Sequence, residues 1–138
     1  MSLIAISPGD PAGIGPEVCL KALSKNQKNN KRFVLIGDIN HFEFLNKKLN
    51  LNLKFKRNSI SSSFINVEHI PLVSAVKLGK PDVKNAKYIL DVLFEASLGA
   101  LKNKYSTILT GPINKALINE YGFEFSGHTE FLADISNK

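Results

Sequence analysis

A chain of 138 residues, 43% hydrophobic and 22% charged, has the make-up of one globular domain, which buries roughly two thirds of its unfolded surface on folding. Its single cysteine, Cys19, excludes an internal disulfide framework and suits a reducing cytoplasm, and no apolar run approaches the roughly 20 residues of a membrane span. The net charge of +6 is spread from Lys21 to Lys138 without aromatic interleaving, which fits an acidic small substrate or a solvated lysine-rich surface and not nucleic acid.

Short β-rich runs alternate with helical patterns, the signature of an α/β fold with a largely parallel sheet. Leu3–Ser7 reads as the first strand, and the segment before it lacks the basic region of a signal peptide. A helix is expected from about Pro16, where Val18/Ala22 and Cys19/Leu23 form i, i+4 apolar pairs. Phe33–Gly37 is a short buried strand, followed by a helix from about Ile39 to Leu49 with Asp38 as its N-cap. Leu53–Lys56 and Val67–Pro71 are weaker strand candidates around the serine-rich loop 59–63. The strongest helical pattern runs from Asp82, its expected N-cap, to Leu101, with Ala86, Ile89, Leu90, Leu93, Phe94 and Ser97 on one face. Thr107–Thr110 is another strand, and Ile113–Tyr121 a helix ended by Gly122. A last helix starts near Thr129 and runs to the end of the sequence with neither a cap nor an obvious partner.

Three strand-to-helix junctions are rich in glycine: ISPGDPAGIGPEV (6–18), LIGDIN (35–40) and LTGPINKAL (109–117). Open parallel sheets bind ligands at such junctions, where glycine lets the backbone approach closely and helix N-termini offer free N–H groups. In the first, Pro16 suits the start of a helix and Glu17 lies in its first turn. Gly13-Ile14-Gly15 with Asp38 imitates a dinucleotide fingerprint, but the third glycine position is Val18, so the pattern fails. In the third, Lys115 gains nothing from the helix dipole; it is either a solvent lysine or a hint of an anionic or carbonyl partner.

The stretch SGHTEFL (126–132) sets His128 and Thr129 at a helix start, where imidazole, hydroxyl and free amides converge. That combination suits a hydroxylated, phosphorylated or carboxylated substrate; alternatively Thr129 merely caps the helix and His128 is exposed. His41 and His69 read as surface or packing residues, and Cys19 as a buried thiol. No zinc spacing, phosphate-binding loop or nucleophile elbow is present.

Taken together, SPGDPAGIGPEV, ILTGPINKALIN and GFEFSGHTEFLA, in this order and at these separations, closely resemble the 4-hydroxythreonine-4-phosphate dehydrogenase family of vitamin B6 biosynthesis. The resemblance extends from about Ile4 to Ser136 and includes GKPDVKNAKYILDVLFEA, which looks like the long helix of that family. It implies a three-layer α/β fold like that of isocitrate and isopropylmalate dehydrogenases. It also implies NAD or NADP, a divalent metal (Zn, Mg or Co), and oxidation of 4-phosphohydroxy-L-threonine with decarboxylation to 3-amino-2-oxopropyl phosphate. By the same resemblance His128 and Thr129 match the substrate-contacting pair, while Asp10, Gly13, Gly15 and Lys115 line the same cleft. The resemblance further implies a cytoplasmic homodimer with its site between subunits.

Members of that family are more than twice as long, and their metal-binding histidines lie in later segments reading roughly THLPL, NPHAGE and YHDQG. The expectation is therefore that residues 1–138 form a single N-terminal α/β portion, truncated relative to the family. Such a portion has no metal ligand of its own and is inactive alone. The alternatives are a paralogous dehydrogenase for another four-carbon phosphorylated acid, or a non-catalytic anion-binding domain.

Overall fold

The computed structural model describes residues 2–61 and 63–137, with the side chains of residues 28 and 29 outside that description; Ser62 of the serine-rich loop also lies outside it. The described residues form strands β1 (Ile4–Ser7), β2 (Phe33–Gly37), β3 (Phe55–Arg57), β4 (Ile65–His69) and β5 (Thr107–Thr110). The helices are α1 (Gly15–Lys25), α2 (Ile39–Lys48), α3 (Ala86–Leu101), α4 (Lys115–Tyr121) and α5 (His128–Ser136). The strands make one sheet in the order β3-β4-β2-β1-β5, and every pairing is parallel.

Strand side chains alternate between the two faces of the sheet, and that alternation sorts the core into two layers. Ile6, Leu35, Ile65 and Val67 pack with Leu20 and Leu23 of α1 and with Phe42 and Leu45 of α2. Ala5, Val34 and Ile36 point the other way, into Ile89, Val92, Leu93 and Ala96 of α3 and the apolar residues of α4 and α5. The result is the expected three-layer α/β arrangement.

Several boundaries differ from the expectations, each for a local reason. The α-helix of the strongest periodic segment begins at Ala86, because Asp82 caps a 3₁₀ turn over Val83–Asn85 by accepting from the Lys84 N–H at 2.9 Å. Phe94, placed on the buried stripe by periodicity, is 47% exposed at its outer edge. α4 starts at Lys115, not Ile113, because Asn114 caps it through Oδ1 accepting from the Leu117 N–H at 3.1 Å. β3 and β4 occupy Phe55–Arg57 and Ile65–His69, a shift of about two residues set by the register of Val34 with Asn66 and Phe55 with Ile65. Val18 is 56% exposed and Ala22 is exposed too, so that expected pair faces away from the core. Finally, α5 does have a closing bond and a partner. The Asn137 N–H donates to the Ala133 carbonyl at 3.1 Å, and buried Phe131 joins the α3 layer.

Candidate functional site

β1 lies between β2 and β5, and the chain crosses back from β4 to reach β5. The carboxyl ends of β1 and β5 therefore form the crevice that open parallel sheets use for ligands. Here two glycine-rich loops are seated directly on one another. The Gly111 N–H donates to the Ser7 carbonyl at 2.7 Å, and the Asp10 N–H to the Pro112 carbonyl at 3.2 Å. A Cβ on Gly15 or Gly111 would strike the Pro8 carbonyl oxygen, and one on Gly9 the Pro112 carbonyl oxygen. These glycines thus let backbone pack on backbone.

The first loop is also held from below. Buried Asp10 accepts from the Ala12 N–H through Oδ1 at 2.9 Å. His41 Nε2–H donates to the Pro11 carbonyl at 3.1 Å, and the Gly79 N–H to the Ala12 carbonyl at 2.8 Å. Burial holds the His41 pKa below its ordinary value despite the Pro11 bond and the Asp38 charge. Among the cleft residues read from the sequence, Asp10 and Gly15 are buried in this loop, whereas Gly13 is exposed.

Asp38 performs the capping role expected of it. Its Oδ1 accepts from the N–H groups of Asn40 at 2.8 Å and His41 at 3.3 Å, and its Oδ2 from the Leu72 N–H at 2.8 Å. Both carboxylate oxygens are thereby engaged by backbone, so Asp38 is not free to hold a ribose. His69 accepts from the Ile39 N–H through Nδ1 at 3.1 Å, so His41 and His69 both serve local packing. Burial raises the Cys19 thiol to about 11, although the residue is only half-buried.

At the start of α5 several groups converge. Gly127 occupies the N-cap position at φ 154°, and a Cβ there would lie 3.0 Å from Glu130 Oε2 and 3.7 Å from Lys115 Nζ. The ammonium at the head of α4 therefore stands beside the first turn of α5. Gly122, at φ 106°, turns the chain between the two helices, and Asn119 Oδ1 accepts from the Phe125 N–H at 2.9 Å. Phe125 packs against Phe131 with ring centroids 5.9 Å apart, and the His128 ring meets Phe125 edge-on at 5.9 Å.

His128 is half-buried, and its Nε2 is buried without a hydrogen-bond partner among the described residues. Its pKa falls below the ordinary 6.5, first because burial penalises the charged form and second because Lys115 lies near. The imidazole is consequently neutral at neutral pH. Thr129 is exposed and does not cap the helix, since Gly127 holds that position. This setting differs from the alternative in which Thr129 caps and His128 is exposed. Glu130, beside Lys115, was not legible from sequence; nothing in the spacing marks it.

Among the described residues, no group of three His, Cys, Asp or Glu side chains is placed to hold a metal ion. His41 and His69 are committed to backbone and His128 sits beside a cation, so these residues do not fit a metal. Asp38, whose carboxylate oxygens accept from the Asn40, His41 and Leu72 N–H groups, acts as a cap and not as the acidic residue of a dinucleotide fingerprint.

The fold and this rim define a parallel α/β domain of the open-sheet class, in which Lys115 of α4 meets the first turn of α5. Residues 28–138 match the family described as pyridoxal phosphate biosynthetic protein PdxA, and the chain belongs to that family. It is 36% identical over 142 residues to the 4-hydroxythreonine-4-phosphate dehydrogenase of Saccharophagus degradans, covering 99% of this chain and 42% of that relative. The Pseudomonas aeruginosa enzyme of the same name is 35% identical, with 99% and 44% covered. Solved 4-hydroxythreonine-4-phosphate dehydrogenases from Klebsiella pneumoniae and Burkholderia phymatum superpose with TM-scores of 0.86 and 0.88 at 28% and 26% identity. Each alignment covers 99% of this chain and 45% or 44% of the solved one. The chain thus spans less than half the length of these relatives.

Proposed function

We propose that this chain forms one wall of the substrate site of a 4-hydroxythreonine-4-phosphate dehydrogenase in vitamin B6 biosynthesis. The observation that carries the reading is the His128 imidazole, its Nε2 buried and unpartnered beside Lys115 at the head of α5, in a chain whose relatives bear that name.

The residues present suit such a substrate. A neutral imidazole can exchange a hydrogen bond with a hydroxyl, and the Thr129 hydroxyl offers a second partner on the exposed side. Lys115 and the unpaired first-turn amides of α5 neutralise a carboxylate or phosphate. The family resemblance adds Asp10, Gly13 and Gly15 to the lining of the same cleft, with Asp10 and Gly15 buried in the first loop.

In the proposed reaction the secondary hydroxyl of 4-phosphohydroxy-L-threonine is oxidised to a ketone, for which NAD or NADP, when bound, would supply the hydride acceptor. The β-keto acid then loses carbon dioxide to give 3-amino-2-oxopropyl phosphate. A divalent metal, Zn, Mg or Co, supplies Lewis-acid polarisation where it is bound. On the family resemblance its ligands and much of the nucleotide site lie in later segments of the family, so on this reading the chain alone does not turn over. The reading extends to a cytoplasmic homodimer with the site between subunits.

The test is an NMR titration of the chain with 4-phosphohydroxy-L-threonine, following the three histidine rings. An anion docking at Lys115 moves the His128 resonances and raises its pKa, while His41 and His69 stay fixed. Shifts at His41 or His69 with His128 unmoved would refute the placement.

A further inference from the structure

We propose that Glu130 is a specificity-determining residue of the α5 rim: its carboxylate receives the ammonium of an amino acid substrate, while Lys115 faces the anionic end. The inference rests on the substrate reading above and adds which phosphorylated acid, amino or hydroxy, the rim prefers.

The geometry follows from position in the helix. Glu130 lies in the first turn of α5, and helical side chains lean toward the N-terminus, so its carboxylate reaches back over the N-cap. Gly127 holds that cap, and a Cβ there would stand 3.0 Å from Glu130 Oε2 and 3.7 Å from Lys115 Nζ. The glycine therefore keeps clear the space between an anion and a cation carried by different helices. Both side chains are exposed and could close on one another. Yet the ion pairs among the described residues are Lys21–Glu17, Lys87–Asp91 and Lys104–Glu68, and neither Lys115 nor Glu130 takes part in one.

Helix stability explains only half of this arrangement. An acidic residue in the first turn of α5 suits the helix dipole, but a lysine at the head of α4 opposes it. Two opposite charges held apart at one rim suit a ligand that carries both. Beside them stand the buried, unpartnered Nε2 of His128 and the exposed Thr129 hydroxyl. A ligand that serves all four groups bears a hydroxyl, an ammonium and an anion within a few bonds of one another. In 4-phosphohydroxy-L-threonine the ammonium lies on the carbon between the carboxylate and the secondary hydroxyl. A phosphorylated acid with a hydroxyl in place of that ammonium offers Glu130 no opposite charge and brings its own anion toward the carboxylate. Attraction in one case and repulsion in the other make the discrimination.

The test titrates the chain with 4-phosphohydroxy-L-threonine and, separately, with its analogue bearing a hydroxyl in place of the ammonium, reading Kd from the His128 ring resonances. The parent should bind the amino acid about fivefold more tightly, the upper end for an exposed ion pair. Glu130→Gln should remove that preference by weakening the amino acid alone, and Glu130→Asp, which keeps the charge, should retain part of it. Thermal melts separate a merely structural role: a Glu130→Gln variant that melts lower but keeps the preference overturns the inference. Equal binding of both ligands by the parent, or a Glu130→Gln variant that weakens both alike, overturns it too. These failures leave the substrate reading standing. If neither ligand moves the His128 resonances, that reading falls and the role of Glu130 falls with it.

Discussion

Replacing Gly15 with alanine tests whether the first rim loop closes on itself as tightly as described. The added methyl would fall against the Pro8 carbonyl oxygen, a backbone atom that cannot rotate aside as a side chain would. Pro8 is itself held between Ser7, whose carbonyl bonds Gly111, and Gly9, whose own Cβ position is closed by Pro112. Relief therefore requires moving a loop. Overpacking of this kind costs about 1–3 kcal/mol, and the absence of a soft neighbour places Gly15→Ala near about 3. For a domain of this length that is a fall in melting temperature of about 6–12 °C. Two other glycines calibrate the result. Gly79 has φ +80° and nothing within 4 Å, so Gly79→Ala carries only the left-handed backbone penalty, about 1 kcal/mol. Gly13→Ala meets Asp10 only at an ordinary 3.4 Å and should stay within about 0.5 kcal/mol of the parent. Thermal melts followed by circular dichroism rank the three variants. A Gly15→Ala protein as stable as Gly13→Ala would refute the close packing of Gly15 on Pro8.

Other outcomes follow from single interactions. Asp38→Asn keeps one acceptor oxygen for two backbone sites, so it should cost about 1–3 kcal/mol in urea unfolding and speed amide exchange at Leu72 or at Asn40. His41 and His128 both have folded pKa values below the ordinary 6.5, so the unfolded chain takes up protons first as the pH falls through 6.5. Their contribution to stability is complete above that value and is lost on acidification toward the lowered folded pKa values. Urea midpoints should fall between pH 7.5 and 5.5, and His41→Gln should make the fall shallower; a flat profile would contradict this. Lys115→Met should raise the His128 pKa in an NMR titration yet leave it below 6.5, because burial is the larger cause. An unchanged His128 pKa would separate the two side chains.

Elements whose apolar run is bounded on both sides were legible in the sequence. Phe33–Gly37 and Thr107–Thr110 match residue for residue, as does the Asp38 cap of α2, because each is set by local chemistry. β3 and β4 were misplaced by about two residues because pairing with β2 fixes them, and that register is a tertiary choice. The 3₁₀ turn ahead of α3 was hidden because Asp82 serves equally as a cap for either kind of helix. At the candidate site, the residue types at 127–129 marked a helix start, but the approach of Lys115 depends on the turn at Gly122 and the Phe125–Phe131 contact. Glu130 enters through that same geometry. Val18 and Ala22 show a related limit: an apolar pair at helical spacing does not say which face of α1 turns to the core.

The central claim, that His128 belongs to a substrate wall completed by the rest of the family fold, is tested most directly by NADH production from 4-phosphohydroxy-L-threonine, NAD and a divalent metal. The assay compares the chain alone, the chain co-expressed with the portion of the Saccharophagus degradans relative outside the 142-residue match, and that complemented pair carrying His128→Ala. The account predicts no turnover from the chain alone, turnover from the complemented pair, and at least a tenfold loss of kcat/KM with His128→Ala at unchanged complex formation. Sustained NADH production by the 138 residues alone, or full kcat/KM in the His128→Ala pair, would contradict it.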